Sequence, residues 1–175
     1  MGLTERMSAV VQRPTTWRDI LIERLKSGRG SAIKGQRRGR FLEDFAEEIV
    51  VRVFGDDGYD LRCRFVGESG RSTEKADFAI PSREDPRILL EAKAYGATGS
   101  KQTDILGDIT RIVEQKRHDT TLVLLLDGES WTARKNDLRK LLRLQYRGRI
   151  ARIYTMRMAG ELEDDLGQLK VEHGL

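Results

Sequence analysis

The feature that most constrains the fold is an uninterrupted apolar run, TLVLLLD, at residues 121–127. A half-exposed strand would alternate apolar and polar residues, whereas a short continuous run closed by Asp-Gly is typical of a strand covered on both faces. A strand of this kind lies in the interior of its sheet, with helices on either side. The run therefore predicts an α/β fold.

The other elements follow from hydrophobic periodicity and from turn residues such as GDDG at 55–58 and PSREDP at 81–86. Strands are predicted at 59–66, 75–80, 87–94, 121–127 and 150–155, and helices at 15–26, 39–54, from 105 onward and 132–147, followed by a short tail at 161–169. This order predicts one domain with a mixed central sheet of about five strands flanked by α-helices. We divide it into an N-terminal helix and linker (1–36), a core (39–155) and a C-terminal tail (156–175).

Composition limits the classes of protein to which the chain can belong. The single cysteine, Cys63, excludes a disulfide framework, and with only two histidines a zinc site is not expected. His118 is expected at the surface, and Trp131 in the core or at its rim. No apolar run reaches membrane-spanning length, so we expect a cytoplasmic protein without a membrane segment.

Basic residues are clustered along a chain with a net charge of +4. One cluster lies at 34–40 and includes Arg37 and Arg38, and a second lies at 134–152. Such clusters suit a polyanionic partner, although solvated helix faces have the same composition.

Two charged residues stand at the end of the apolar strand RILLEAKA, at 87–94. The strand period of two places Glu91 and Lys93 side by side on one face. Burying both groups costs desolvation energy, so each needs a partner: the other residue, a metal ion or a phosphate. The alternative is a strand end that emerges into solvent.

Asp77 interrupts a second strand, KADFAI, in which Lys75, Asp77 and Ala79 alternate with Ala76, Phe78 and Ile80. If this strand forms a hairpin with 87–94, Asp77 and Glu91 converge on one face. Two neighbouring carboxylates repel each other, and a hard divalent cation relieves that repulsion. With Lys93 holding a water or a phosphate beside the cation, such a site can cleave phosphodiester bonds.

Asp77, followed by Glu91-Ala92-Lys93 on the next strand, resembles the motif of the PD-(D/E)XK nuclease superfamily, and in particular its type II restriction endonucleases. The order helix, three-strand meander, helix, strand over roughly 39–155 is similar to that superfamily's core. No proline precedes Asp77, which departs from the motif's name. The resemblance implies a restriction-endonuclease-like core, with Mg²⁺, or Mn²⁺ as a substitute, held by Asp77, Glu91 and Ala92, and with Lys93 catalytic.

The same resemblance implies an acidic residue on the first core helix, where the sequence offers RRGRFLEDF. A helical projection places Glu43 at the rim of the apolar stripe, whereas Asp44 is turned about 100° further toward water. We therefore assign Glu43 as the fourth catalytic residue, with Glu47 as the alternative.

The segment after Lys93 resembles the Gly-Ser-Lys stretch that approaches DNA in several restriction enzymes. It contributes Ser100, Lys101 and Gln102 as candidate DNA contacts, to which we add Arg37, Arg38 and Arg111. The alternative is a polar loop that caps the following helix.

Together these features predict a Mg²⁺-dependent type II restriction endonuclease that acts on double-stranded DNA as a homodimer. Two alternatives stay open: a junction resolvase or repair nuclease of the same superfamily, and a catalytically silent DNA-binding module.

Overall fold

A computed structural model describes residues 40–94, 105–127, 131 and 135–175. Several predictions fall outside these residues, namely the helix at 15–26 and the candidate DNA contacts Arg37, Arg38, Ser100, Lys101 and Gln102.

The described chain forms five strands and four α-helices. The strands are β1 (Asp60–Val66), β2 (Ser72–Ile80), β3 (Ile88–Lys93), β4 (Thr121–Leu126) and β5 (Arg152–Thr155). The helices are α1 (described over 40–54), α2 (Ile105–Gln115), α3 (Lys135–Tyr146) and α4 (Ala159–His173). The largest differences from the predictions are that β2 begins three residues earlier, at Ser72, and that the predicted C-terminal tail forms the helix α4. The prediction of a tail there is wrong, because Leu162 and Leu166 of this segment pack in the core.

The strands form one mixed sheet in the order β1-β2-β3-β4-β5. The first three strands are antiparallel neighbours, and β3, β4 and β5 run parallel to one another. The predicted α/β fold with a mixed five-stranded sheet is confirmed. As the apolar run predicts, β4 is an interior strand, between β3 and β5.

Both faces of the sheet are covered. On one face α1 and α4 pack on a cluster that includes Phe78, Ile80, Ile88, Leu90, Ala92, Val123 and Leu125. On the other face α2 and α3 pack on a cluster that includes Cys63, Phe65, Ala79, Leu89, Leu122, Leu124 and Leu126. Successive β4 residues alternate between the two clusters, which explains why this strand is apolar throughout. No helix in the described ranges is long and apolar enough to span a membrane.

The sheet divides into two arms. Pairing between β2 and β3 consists of three residue pairs and stops at Phe78↔Leu90. Beyond this point β2 remains paired with β1 as far as Ser72, and β3 remains paired with β4 as far as Lys93. We call the opening the fork; it separates a hairpin arm, β1–β2, from a parallel arm, β3–β5.

In the hairpin arm, the alternation of side chains between the two faces of the sheet is inverted at Arg62, which has a φ of 48°. Residues two apart in a regular strand share a face. Here Leu61 packs in the cluster under α1, whereas Cys63 packs in the cluster under α2. The left-handed backbone at Arg62 explains this inversion, because it rotates the strand between its two neighbours.

The inversion extends to β2, where the register pairs Leu61 with Phe78 and Cys63 with Ala76. Phe78 accordingly lies in the α1 cluster and Ala76 in the α2 cluster. The prediction that Ala76 shares a face with Phe78 and Ile80 is therefore wrong. Asp77 lies at the inversion, between Ala76 and Phe78, just as Arg62 lies between their partners Cys63 and Leu61.

The tip of the hairpin arm is fixed to the end of α2. The backbone N–H of Glu68 donates to the carbonyl of Gln115 at 2.8 Å. A Cβ atom at Gly67 would lie 2.2 Å from that same carbonyl oxygen, so only glycine permits the approach. This contact sets the position of the arm relative to the rest of the sheet.

Candidate active site

Asp77, Glu91 and Lys93 come together at the fork. Asp77 is the first β2 residue beyond the last β2–β3 pair, and the other two project from β3. The Lys93 Nζ lies 3.8 Å from Asp77 Oδ2 and forms an ion pair with Glu91 Oε1. The three side chains are 17%, 5% and 19% exposed for Asp77, Glu91 and Lys93, respectively, so they share a largely buried pocket.

The two carboxylates bind backbone groups across the fork. The backbone N–H of Asp77 donates to Glu91 Oε2 at 2.9 Å, and the backbone N–H of Ala92 donates to Asp77 Oδ2, also at 2.9 Å. Where the strands separate, these N–H groups need acceptors other than a partner strand, because an unpaired buried donor is costly. The carboxylates satisfy the donors and are thereby fixed in direction.

Burial sets the electrostatics of the pocket. Burial, reinforced by the charge of Asp77, raises the pKa of Glu91 to about 7, against the opposing effect of Lys93. Burial likewise raises the pKa of Asp77, although Lys93 and the Ala92 N–H act in the opposite direction. For Lys93, burial lowers the pKa, but attraction to Glu91 and Asp77 outweighs it and the net shift is upward.

Trp131 supports the pocket from the parallel arm. Its side chain is 2% exposed, and its indole N–H donates to the backbone carbonyl of Lys93 at 3.3 Å. The interpretation of Trp131 as a core aromatic is correct, but nothing in the sequence links it to Lys93, 38 residues away. Asp108, on α2, adds negative charge near the Lys93 ammonium.

Of the acidic residues on α1, Glu43 is the one next to the fork. Its Oε2 accepts a hydrogen bond from Arg62 Nε at 2.8 Å, and its charge raises the pKa of Asp77. Asp44 is exposed, and Glu47 accepts a hydrogen bond from Tyr59 instead.

Arg62 is a residue of this neighbourhood that the sequence analysis missed. Its guanidinium forms an ion pair with Glu43 at 2.7 Å and lowers the pKa of Asp77. The surrounding sequence, DLRCRFV, reads as an ordinary strand and contains no glycine or asparagine to signal a left-handed residue.

The two remaining candidates within the described residues, Arg111 and His118, lie at the surface. Arg111, proposed as a phosphate contact, is ion-paired with Asp108 and lies 3.6 Å from Glu74. His118 is exposed, as expected.

The donor set at the fork suits a hard divalent cation. The described residues contain no cluster of three histidine, cysteine or acidic side chains that could hold a metal. Mg²⁺, however, is commonly held by one or two carboxylates, with water and substrate phosphate completing its shell. Each carboxylate oxygen of Asp77 and Glu91 retains lone pairs beyond the hydrogen bonds described above.

A family model described as DpnII restriction endonuclease matches residues 32–161, which is more than half of the chain. The matched span includes Glu43, Asp77, Glu91 and Lys93. Neither the curated proteins nor the solved structures include a significant match.

Proposed function

The chain belongs to the DpnII restriction endonuclease family, and on that basis we propose that it is a Mg²⁺-dependent type II enzyme that hydrolyses phosphodiester bonds in double-stranded DNA. Membership itself makes the chain a restriction endonuclease, a hydrolase that acts on DNA. The observation that carries the finer proposal is the meeting of Asp77, Glu91 and Lys93 in one buried pocket at the fork. The arrangement supports assignment to the PD-(D/E)XK superfamily.

Asp77, Glu91 and the backbone carbonyl of Ala92 are the proposed ligands for Mg²⁺ or its substitute, Mn²⁺. When bound, the cation lowers the pKa of a coordinated water and offsets charge that develops on the phosphate. With all three side chains ionised the pocket carries one net negative charge, which favours a cation over an anion. The backbone hydrogen bonds hold both carboxylates in place before any ligand arrives.

Lys93 is the proposed catalytic cation. Attraction to the two carboxylates keeps its pKa above the ordinary value, so the side chain is an ammonium at neutral pH. In that form it donates hydrogen bonds to the attacking water or to the scissile phosphate and stabilises charge in the transition state.

Glu43 is the proposed fourth acidic residue. The proposal is supported by its ion pair with Arg62 and by the effect of its charge on the pKa of Asp77. Glu43 can accept a hydrogen bond from a water bound at the site or add to the negative potential that attracts a cation.

The proposed DNA contacts outside the pocket remain those expected from sequence, namely Arg37, Arg38, Ser100, Lys101, Gln102 and Arg111. Because one pocket cleaves one strand, we also propose a homodimer, in which two pockets related by a twofold axis cut both strands of a symmetric site.

Digestion of duplex DNA by the purified protein tests the proposal. Discrete fragments that require Mg²⁺, are abolished by a chelator and share a sequence at their ends are the expected result. Cleavage confined to branched or damaged DNA would indicate a junction resolvase or repair nuclease. Binding without cleavage at any tested Mg²⁺ or Mn²⁺ concentration would indicate a silent DNA-binding module.

A further inference from the structure

We propose that the outward face of α3 binds the sugar-phosphate backbone of duplex DNA outside the cleavage pocket. Five exposed residues form this face, which we call the α3 stripe: Lys135, Arg139, Leu142, Arg143 and Tyr146. The inference rests on the proposed function for the identity of the ligand, and it adds a surface that holds the substrate.

The stripe follows from helical geometry. Residues three or four apart lie on the same face of an α-helix, and the five members are spaced in this way. Leu141 is fully buried in the cluster under α2 and α3, so the stripe on the other side of the helix points away from the sheet. The cations Lys135, Arg139 and Arg143 follow one another at intervals of four residues. They therefore form a row about 12 Å long.

The cations of the stripe are not neutralised by the protein. From residue 138 to residue 160 the sequence contains seven basic residues and no acidic one. Across the described ranges, the side chains of Lys135 and Arg143 form no ion pair or hydrogen bond. Arg139 donates a hydrogen bond to the neutral amide of Asn136 at 3.3 Å. The row thus retains its positive charge.

Basic residues outside the stripe provide a contrast. On α1, Arg52 is ion-paired with Glu163 at 2.9 Å. On α3 itself, Lys140 lies outside the stripe and within 3.8 Å of Asp137. The unneutralised charge is therefore concentrated on the outward face of the helix, where an anionic ligand can reach it.

The uncharged members of the stripe also suit a nucleic acid. Tyr146 is 94% exposed and lies within one turn of Arg143. Tyrosine, arginine and lysine side chains all donate hydrogen bonds to phosphate and sugar oxygens in complexes with DNA. Leu142 is 48% exposed and offers an apolar contact to a deoxyribose ring.

A second copy of the chain is a poor occupant of the stripe. A twofold contact places the same face on both subunits, so the two rows of cations would repel each other. The fitting ligand is instead a polyanion. Because the chain belongs to a family of restriction endonucleases, the polyanion we infer is DNA.

α3 covers the side of the sheet to which Lys93 projects. Lys93 is paired in parallel register with Leu126, which lies in the cluster under α2 and α3. Trp131 packs in the same cluster and donates to the Lys93 carbonyl. Lys135 follows Trp131 by four residues, a length of chain that spans at most about 14 Å. The Lys135 end of the stripe is therefore the end nearer to the pocket.

The test measures duplex affinity as a function of salt, with a chelator present, for Lys135→Gln, Arg139→Gln, Arg143→Gln and the triple variant. Arg83→Gln is the matched control, because Arg83 is an exposed arginine on another element and is paired with Glu84. Glutamine has nearly the helix propensity of lysine and arginine, so α3 should stay folded, which thermal unfolding checks. Binding to vesicles of phosphatidylserine and phosphatidylcholine is measured on the same proteins, together with sedimentation equilibrium.

We expect each single variant to reduce the slope of log affinity against log salt by about 1, the triple variant by about 3, and the control to leave it unchanged. Tyr146→Phe should lower duplex affinity about two- to tenfold at an unchanged slope, because it removes an uncharged donor. Half-maximal single-turnover cleavage in Mg²⁺ should require correspondingly more protein. The single variants decide the question if the triple variant fails to fold.

Wild-type slopes in the charge variants would overturn the proposal. Weaker vesicle binding with an unchanged duplex slope would assign the stripe to a membrane surface, and an altered oligomeric state with an unchanged slope would assign it to an interface between copies. Either result also overturns the proposal. If the wild-type protein binds duplex DNA but does not cleave it, the proposed function fails while the slopes still test the stripe.

Discussion

The backbone N–H of Asp77 donates to the carboxylate of Glu91 across the fork, at 2.9 Å. The carboxylate of Glu91, on the parallel arm, is thus positioned by the hairpin arm, which carries Asp77. The two groups can form this hydrogen bond because β2–β3 pairing ends at Phe78↔Leu90, and Asp77 and Glu91 are the first residues beyond that pair. The geometry of the two arms and the chemistry of the pocket are therefore inseparable.

Replacing either carboxylate by its amide should abolish most of the cleavage. Asp77→Asn and Glu91→Gln retain the shape of each side chain and an acceptor for the backbone N–H but remove the charge that holds a cation. We expect single-turnover rates to fall at least about 100-fold, with far-UV circular dichroism unchanged. Glu163→Gln, which removes an exposed carboxylate paired with Arg52, is the control. A wild-type rate in either amide variant would refute the assigned site.

Lys93→Met should separate catalysis from cation binding. Methionine fills a similar volume without the ammonium, so the two carboxylates remain in place. Cleavage should fall about 100-fold or more, whereas Mn²⁺ affinity measured by calorimetry should be retained or increased because a competing cation is absent. Loss of Mn²⁺ binding together with activity would contradict the catalytic role and indicate a structural one.

The free energy of unfolding of the metal-free protein should decrease as pH rises. In the folded protein Glu91 retains its proton up to about pH 7, whereas an unfolded chain releases it near the ordinary pKa of 4.5. The folded state therefore binds more protons between these values, and the free energy of unfolding falls as pH rises through them, by at most about 3–4 kcal/mol from Glu91 alone. The raised pKa of Asp77 acts in the same direction.

Denaturant unfolding in the presence of a chelator, from about pH 5 to about pH 8, measures this dependence. Glu91→Gln should make the profile flatter. An equally steep decline in that variant would show that other groups cause it.

Gly67→Ala should destabilise the hairpin arm. The new Cβ would lie 2.2 Å from the Gln115 carbonyl oxygen, so the arm has to move away from α2. We expect a loss of about 1–3 kcal/mol in the free energy of unfolding, with a parallel loss of cleavage. The control is Gly167→Ala on α4, where a Cβ has open space and alanine should stabilise the helix by up to about 1 kcal/mol. Equal stability of the two variants would refute the role of the Gly67 contact.

Much of the fold could be predicted because it depends on local patterns. The apolar run at β4 indicates burial on both faces, and the period of two correctly places Leu89 on the face opposite Leu90. The meeting of Asp77 with Glu91 could be anticipated from the same period and the short loop between their strands. These features can be predicted because they depend on residues that are close together in the sequence.

The fork and the inversion at Arg62 could not be predicted, because they depend on contacts between distant segments. Arg62 adopts a conformation that its own sequence disfavours, and it does so beside Glu43 on another element. The face occupied by Ala76 follows from that inversion, which is why strict alternation failed there. Trp131 and Lys93 are separated along the chain by α2 and β4, so their hydrogen bond is not visible in the local sequence.

The most direct test of the proposed cation site is the anomalous diffraction of Mn²⁺ in crystals of the protein. Asp77 and Glu91 should each place a carboxylate oxygen about 2 Å from a single anomalous peak at the fork. Mn²⁺ bound elsewhere, with the fork empty at a concentration that supports cleavage, would contradict the account.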